Sequence, residues 1–360
     1  LVNSVTKDTL LAKKTKPTRG TPGKTVFGKE VKAPNGMDRI ISTNEGVLEK
    51  KLEDGVIEYY AKIDGNVSYT NDYVTVTDSF GVEGDVDYAT GNIEVKTGLR
   101  VGGSVKPSFA IKAGGNTIIN ETVESGAQVF VDGDLMVGKG IIGEGTKVIV
   151  LGNLQVEFIQ DAEVVVKGDI TVGSYIYNGT VRAGGRITIK KAAGTKGGKT
   201  IGGFVCASQG IELSTVGSPT NKNTIVSIQA DPVLLGKQQK LNKDREFCDT
   251  NIAKMLRTLD LKTLDPELIK AMLVKLPVEQ REMVVKVIVT LNKFIKHRSE
   301  TTAKRKQLGA YIEQCLKRAK IRVSSEFFEG NEVEIGEMRF VATNDIGPSI
   351  FQWREDRIVY

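Results

Sequence analysis

Cysteine, histidine, proline and aromatic residues are all scarce in this chain of 360 residues, which holds 3 Cys, 1 His, 9 Pro, 12 Phe, 9 Tyr and 1 Trp. Cys206, Cys248 and Cys315 are too few and too widely spaced for a disulfide framework or a zinc site, which would need paired spacings such as C-x-x-C. A reducing compartment is the simpler expectation. His297 stands between Lys296 and Arg298 with no second histidine to complete a metal site, so a surface position is expected for it. No apolar run approaches the roughly 20 residues needed to span a bilayer, and the lysine-rich start (Lys7, Lys13, Lys14, Lys16) has no signal-peptide core. The chain opens on Leu1, so an upstream domain is expected to be missing.

Glycine, by contrast, is abundant at 39 residues, and it recurs. The element is an apolar residue, a spacer, Gly, a small polar residue and another apolar residue. It appears as Ile63-Asp64-Gly65-Asn66-Val67, Val82-Glu83-Gly84-Asp85-Val86 and Val101-Gly102-Gly103-Ser104-Val105. It returns as Val131-Asp132-Gly133-Asp134-Leu135, Val150-Leu151-Gly152-Asn153-Leu154 and Val166-Lys167-Gly168-Asp169-Ile170, with looser copies at Gly115, Gly185 and Gly210. Spacings near 16 to 19 residues mean stacked coils, each of three short strands joined by tight bends. Val74 and Val76, Ile93 and Val95, Val148 and Val150, and Ile187 and Ile189 alternate with polar residues, so they face inward. The expected fold is mainly β with α, a right-handed parallel β-helix whose core is a column of Val and Ile. The glycines are expected to serve bends that need a positive φ, and the Asn, Asp and Ser after them to form a polar ladder down the stack.

From Pro232 the apolar period lengthens to 3.5. Leu234, Gln238, Leu241, Arg245, Cys248, Ile252, Met255 and Leu259 form one seam, and Val284, Val287, Leu291, Phe294, Thr301, Leu308, Ile312, Cys315 and Ala319 a second, with Arg298 and Arg305 at seam positions. A short helix opening at Asp265-Pro266-Glu267 separates them, so an antiparallel coiled-coil hairpin is expected. The implied organisation is an extended lead-in arm at 1–38 and the β-helix at 39–231, with 38–60 as a first irregular coil. The hairpin occupies 232–320, after the last coil, and a short C-terminal β segment at 321–360 returns to the β-helix.

The search for chemistry finds neither catalytic nor metal-binding nor cofactor residues, and no cofactor is expected. Residues 193–200 and 18–25 imitate a phosphate-binding loop, but each lacks the adjoining helix whose amides would face the phosphates. Glu83, Asp85 and Asp87 are the nearest thing to the acidic cluster of a β-helix carbohydrate-active enzyme, and solvent-face roles account for them. The charge is more informative. The net charge is +6, and between Arg281 and Arg322 basic residues far outnumber Glu282, Glu300 and Glu313. Lys293, Lys296, Arg298, Lys304, Arg305 and Lys306 form the candidate partner surface. An acidic protein suits it better than nucleic acid, since no aromatics interleave the charges. The alternatives to a noncatalytic scaffold are thus a β-helix carbohydrate-active enzyme and nucleic-acid binding by the basic helix.

The run Gly140-Ile141-Ile142-Gly143, Val156-Glu157-Phe158-Ile159-Gln160-Asp161-Ala162, Lys167-Gly168-Asp169-Ile170 and Ile201-Gly202-Gly203 resembles the bacterial flagellar assembly protein A (FapA) family. The lead-in Gly23-Lys24-Thr25-Val26-Phe27-Gly28-Lys29 and the helical hairpin before a terminal β segment are similar too. The resemblance implies a bacterial cytoplasmic scaffold in flagellar assembly or placement, recruited to the cell pole or flagellar base. It would act through protein partners, regulatory ones included, and through self-association as a homo-oligomer. The family supplies no catalytic residues, and its N-terminal domain is expected to be absent here.

Overall fold

The computed structural model describes residues 4–52, 55–190, 198–220, 223–261, 265–275 and 277–360. Its centre is a parallel β-solenoid. One face stacks Ser79–Val82, Gly98–Val101, Thr117–Ile119, Leu135–Ile142, Leu154–Gln160, Ile170–Tyr177, Arg186–Ile189, Gly210–Val216 and Ile321–Phe327. A second stacks Ile93–Val95, Ala110–Ala113, Gln128–Val131, Lys147–Val150, Glu163–Val166, Thr180–Ala183, Phe204–Ala207, Ile225–Ile228 and Glu332–Ile335. The third face is narrower: Val86, Val105, Val123 and Ile141 pair in sequence by single bridges, and Ile159, Ile176, Thr200, Val216 and Phe327 carry that column onward.

Register explains why Val and Ile dominate. Ile111, Val129, Val148, Val164 and Val181 are direct neighbours on successive coils and all are buried. A β-branched side chain is stiff at χ1, so identical shapes stack at the roughly 4.8 Å strand spacing with little entropy left to lose. Each fully buried Val or Ile contributes on the order of 1.5–3 kcal/mol, which no single coil obtains without its neighbours. On the outer side, charges alternate between coils. Lys112 pairs with Glu94 at 2.7 Å, Lys106 bridges Glu124 at 2.8 Å and Asp85 at 3.5 Å, and Lys147 meets Glu163 at 3.3 Å.

The polar ladder is a set of side-chain to backbone hydrogen bonds. The amides of Ser104, Asp134, Asn153, Asp169 and Arg186 donate to the side-chain oxygens of Asp85, Asn116, Asp134, Asn153 and Asp169, at 2.7–2.9 Å. This corrects the expected role of the repeat glycines. Gly103, Gly133, Gly152, Gly168 and Gly185 are not among the residues with positive φ. They are glycine because a Cβ there would fall on the side-chain oxygen that the coil below offers to the next amide. Space, not handedness of the backbone, fixes the residue.

The solenoid begins later than the repeat suggests. Gly65–Thr70 and Tyr73–Thr77 pair antiparallel with each other, and Val47–Lys51, Ile57–Ala61 and Leu10–Lys14 form a separate antiparallel sheet. The Ile63 to Val67 copy and the residues 38–60 are therefore not coils. Val74 and Val76 are buried as expected, but with Val47, Tyr59 and Ala61 in a small core of their own. Asn66 ties this N-terminal unit to the solenoid by donating from Nδ2 to Thr97 Oγ1 at 2.6 Å.

Among the described residues, three helices interrupt the stack between Ile225–Ile228 and Ile321–Phe327: α1 (Pro232–Thr258), α2 (Pro266–Lys275) and α3 (Val278–Arg318). They lie inside the solenoid's order rather than after its last coil, because Ile321–Phe327 and Glu332–Ile335 complete one further coil in parallel register. Asp231 caps α1 by accepting from the Val233 amide at 2.7 Å, and Asp265 accepts from Glu267 at 3.0 Å ahead of α2. Antiparallel strands then close the stack: Met338–Val341 on Glu332–Ile335, and Ser349–Arg354 on Ile321–Phe327. An aromatic cluster of Phe327, Phe340, Phe351 and Tyr360, with ring centroids 5.0–5.7 Å apart, fills that end. An open parallel edge would invite pairing with another chain, and these short antiparallel strands cover it.

Candidate interaction surface

The helices α1 and α3 run antiparallel and build their own core. Cys248, Ile252, Leu259 and Leu291 are buried there, with Met255, Val284, Val287 and Phe294 packed around them. Burial pushes the Cys248 thiol pKa up, with Asp249 and Asp244 adding to the shift. Nearer the solenoid the inward face of α3 changes partner: Ile312 and Leu316 are buried in the solenoid's core, with Leu308 and Leu234 against it. Lys317 also lies 5.2 Å from the Trp353 ring centre. The 41-residue α3, about 60 Å long at 1.5 Å per residue, is thus anchored at its C-terminal end.

The six basic residues of the candidate surface divide. Arg298 Nη1 donates to Asp249 Oδ1 at 3.3 Å, and Arg305 Nη1 to Asn242 Oδ1 at 3.4 Å, so both reach across to α1 and hold the hairpin's register. Lys293, Lys296, Lys304 and Lys306 are exposed and have no ion-pair partner among the described residues. At about 100° per residue, Lys293, Lys296 and Lys304 fall within about 80° on the side away from α1, whereas Lys306 lies on the other flank. The surface is therefore a three-lysine face that also carries Glu300, with one outlying lysine.

Of the three acidic residues weighed as catalytic, Glu83 is exposed to solvent and the other two are occupied structurally. Asp85 accepts from the Ser104 amide, and Asp87 Oδ1 accepts from the Ala89 and Thr90 amides at 2.8 and 3.2 Å. Among the described residues no group of three or more His, Cys, Asp or Glu is placed to hold a metal ion. Of the two phosphate-loop imitations, 191–197 lie outside the described residues. The elements after them are strands, Lys199–Ile201 and Phe204–Ala207, which turn no helix N-terminus toward a phosphate. Residues 18–25 likewise lead into Gly23–Lys24 and Glu30–Val31, a strand pair. His297 is exposed on α3. An apolar groove of about 490 Å³, lined by Ile149, Val165, Arg182, Phe204 and Cys206, runs beneath the start of α1. Sequence reading missed it because Ile149 and Val165 sit at positions expected to be polar.

The fold and the site define a class: a β-solenoid carrying an inserted helical hairpin whose exposed face is basic. Residues 78–358 match the family described as Flagellar Assembly Protein A beta solenoid domain, and residues 1–72 match the Flagellar Assembly Protein A N-terminal region. The chain belongs to the flagellar assembly protein A family. No match was found among curated proteins or among solved structures. The two matched regions meet where the structure passes from antiparallel sheets to parallel coils. Residues 1–72 are thus the family's own N-terminal material, contrary to the expectation of a lead-in arm on a chain without it.

Proposed function

We propose that this protein is a noncatalytic scaffold whose part in flagellar assembly is to hold an inserted basic hairpin at a fixed place on a rigid solenoid, where it meets a protein partner. Family membership supports a role in flagellar assembly. The observation that carries the finer reading is the contrast on α3. Arg298 and Arg305 are engaged by α1, whereas Lys293, Lys296 and Lys304 share an outward face on which Glu300, between Lys296 and Lys304, is ion-paired with none of them among the described residues. Such a face favours an acidic partner by complementarity and by a faster encounter rate. Self-association, action in the cytoplasm and recruitment to the cell pole or flagellar base belong to the same reading. So does the division into an N-terminal unit, a solenoid, a hairpin and a closing β segment. Among the described residues no helix is long and apolar enough to cross a membrane.

Affinity capture from a flagellated bacterium, after crosslinking in cells, tests the reading. Wild-type protein is expected to retain an acidic partner that the Lys293→Glu, Lys296→Glu, Lys304→Glu variant loses. Equal capture by both proteins would refute it.

A further inference from the structure

A basic finger with an apolar tip extends from the N-terminal unit. Gly23–Lys24 and Glu30–Val31 pair antiparallel, and the stem continues where the Gly36 amide donates to the Thr18 carbonyl at 3.0 Å and the Gly20 amide to Asn35 Oδ1 at 3.2 Å. The tip is a built turn. The Gly28 amide donates to the Thr25 carbonyl at 2.9 Å, Thr25 and Lys29 close the pair at 2.8 Å, and the Lys29 amide also reaches Thr25 Oγ1 at 3.2 Å. Gly28 has φ +77°, which a side chain would strain, so glycine is what permits this turn. The turn leaves Val26 96% and Phe27 93% exposed. Lys24 and Lys29 flank the turn, and the two arms of the finger add Arg19 and Lys32 against the single acid Glu30.

We propose that this finger docks the protein on an anionic lipid bilayer, with Val26 and Phe27 entering the headgroup boundary and the surrounding lysines lying on the charged surface. Charge complementarity chooses the occupant. A stable protein interface buries about 800 Å² on each partner, more than two tip residues supply, and base stacking would want more than one aromatic. Binding to a bilayer instead sums small increments, from apolar side chains at the boundary and from each basic residue near anionic headgroups. A two-residue apolar tip flanked by Lys24 and Lys29, on arms that add Arg19 and Lys32, is an arrangement that such a sum rewards. The finger is separate from α3, so this surface stands or falls independently of the protein-binding face.

Flotation of the full chain with phosphatidylcholine vesicles, with and without phosphatidylglycerol, tests the proposal. Wild type is expected to associate about tenfold more strongly with the anionic vesicles and to dissociate as salt rises. Val26→Ser with Phe27→Ser is expected to lose that gain, and Lys24→Glu with Lys29→Glu likewise. All four positions are exposed, so the fold should be unaffected, as circular dichroism would verify. Phe27→Trp, read against the background of the lone native Trp353, should shift its emission to the blue only with anionic vesicles. The α3 variant Lys293→Glu, Lys296→Glu, Lys304→Glu should float like wild type. The proposal is overturned if wild type does not float, if the Ser variant floats equally well, if the new tryptophan's emission does not move, or if the α3 variant alone loses association.

Discussion

Gly152 shows how tightly residue identity is set inside a coil. A Cβ there would lie 2.6 Å from the Gly133 carbonyl oxygen and would also displace the Asp134 carboxylate, which accepts from the Asn153 amide at 2.7 Å and from Asn153 Nδ2 at 3.1 Å. Gly152→Ala is therefore expected to destabilise the solenoid by about 1–3 kcal/mol, as overpacking does, read as a lower denaturation midpoint with an unchanged slope. Thr200 presents the opposite case. It is fully buried between Ile176 and Val216 in the third column, and its hydroxyl has no partner among the described residues. Burying an unpaired hydroxyl costs about 1–3 kcal/mol. Thr200→Val should accordingly raise the melting temperature, and a lowered one would show that the hydroxyl is satisfied.

At the scale of elements, the N-terminal unit is the weaker partner. Its core comprises Val47, Tyr59, Ala61, Val74 and Val76, and it relies further on surface carboxylates. Hydrogen bonds from Tyr60 and then Lys13 hold the Glu58 pKa below its ordinary 4.5, and a hydrogen bond from Tyr69, joined by Arg39, holds that of Asp72 below 3.8. A lowered folded-state pKa means stability that is full above the ordinary value and is lost as the pH falls through the lowered one. Glu94 on the coils is lowered as well, by its hydrogen bond from Lys112, but the coils rest on a much larger buried core, so acid should loosen the N-terminal unit first. Pepsin at about pH 3 is expected to cut within residues 55–77 before it cuts the coils, and simultaneous cleavage would contradict that ranking.

The same unit marks the limit of what could be read from the chain. Alternation at Val74 and Val76 correctly says which side chains are buried, but it is identical for a solenoid coil and an antiparallel hairpin, so it is silent on strand direction. Ile63 fitted the repeat by spelling alone, and it is 38% exposed. The coils from Val82 onward were legible because several features agree at once: period, apolar position and the polar residue after glycine. The hairpin was legible from its 3.5 period. The changed allegiance of Ile312 and Leu316 was not, since a seam facing another helix and one facing a sheet have the same spacing. Of the six basic residues, sequence supplied the charge, and only the contacts with Asp249 and Asn242 separate Arg298 and Arg305 from the free lysines.

For the whole molecule, rigidity and contact are assigned to different parts. The solenoid's glycines, Asx ladder and Val–Ile columns are accounted for by stacking, and its ends are closed by the N-terminal unit and the aromatic cap. The lysine face of α3 and the finger both lie on protrusions, and the solenoid fixes where α3 stands. The most direct measurement is the number of flagella per cell, counted by electron microscopy, in a strain lacking its own family member and supplied with this protein or with its Lys293→Glu, Lys296→Glu, Lys304→Glu variant. Matched expression and matched circular dichroism are required of the two. A scaffold acting through this lysine face predicts that wild type restores flagella and that the charge-reversed protein, folded and present, does not. Equal restoration by both would contradict it.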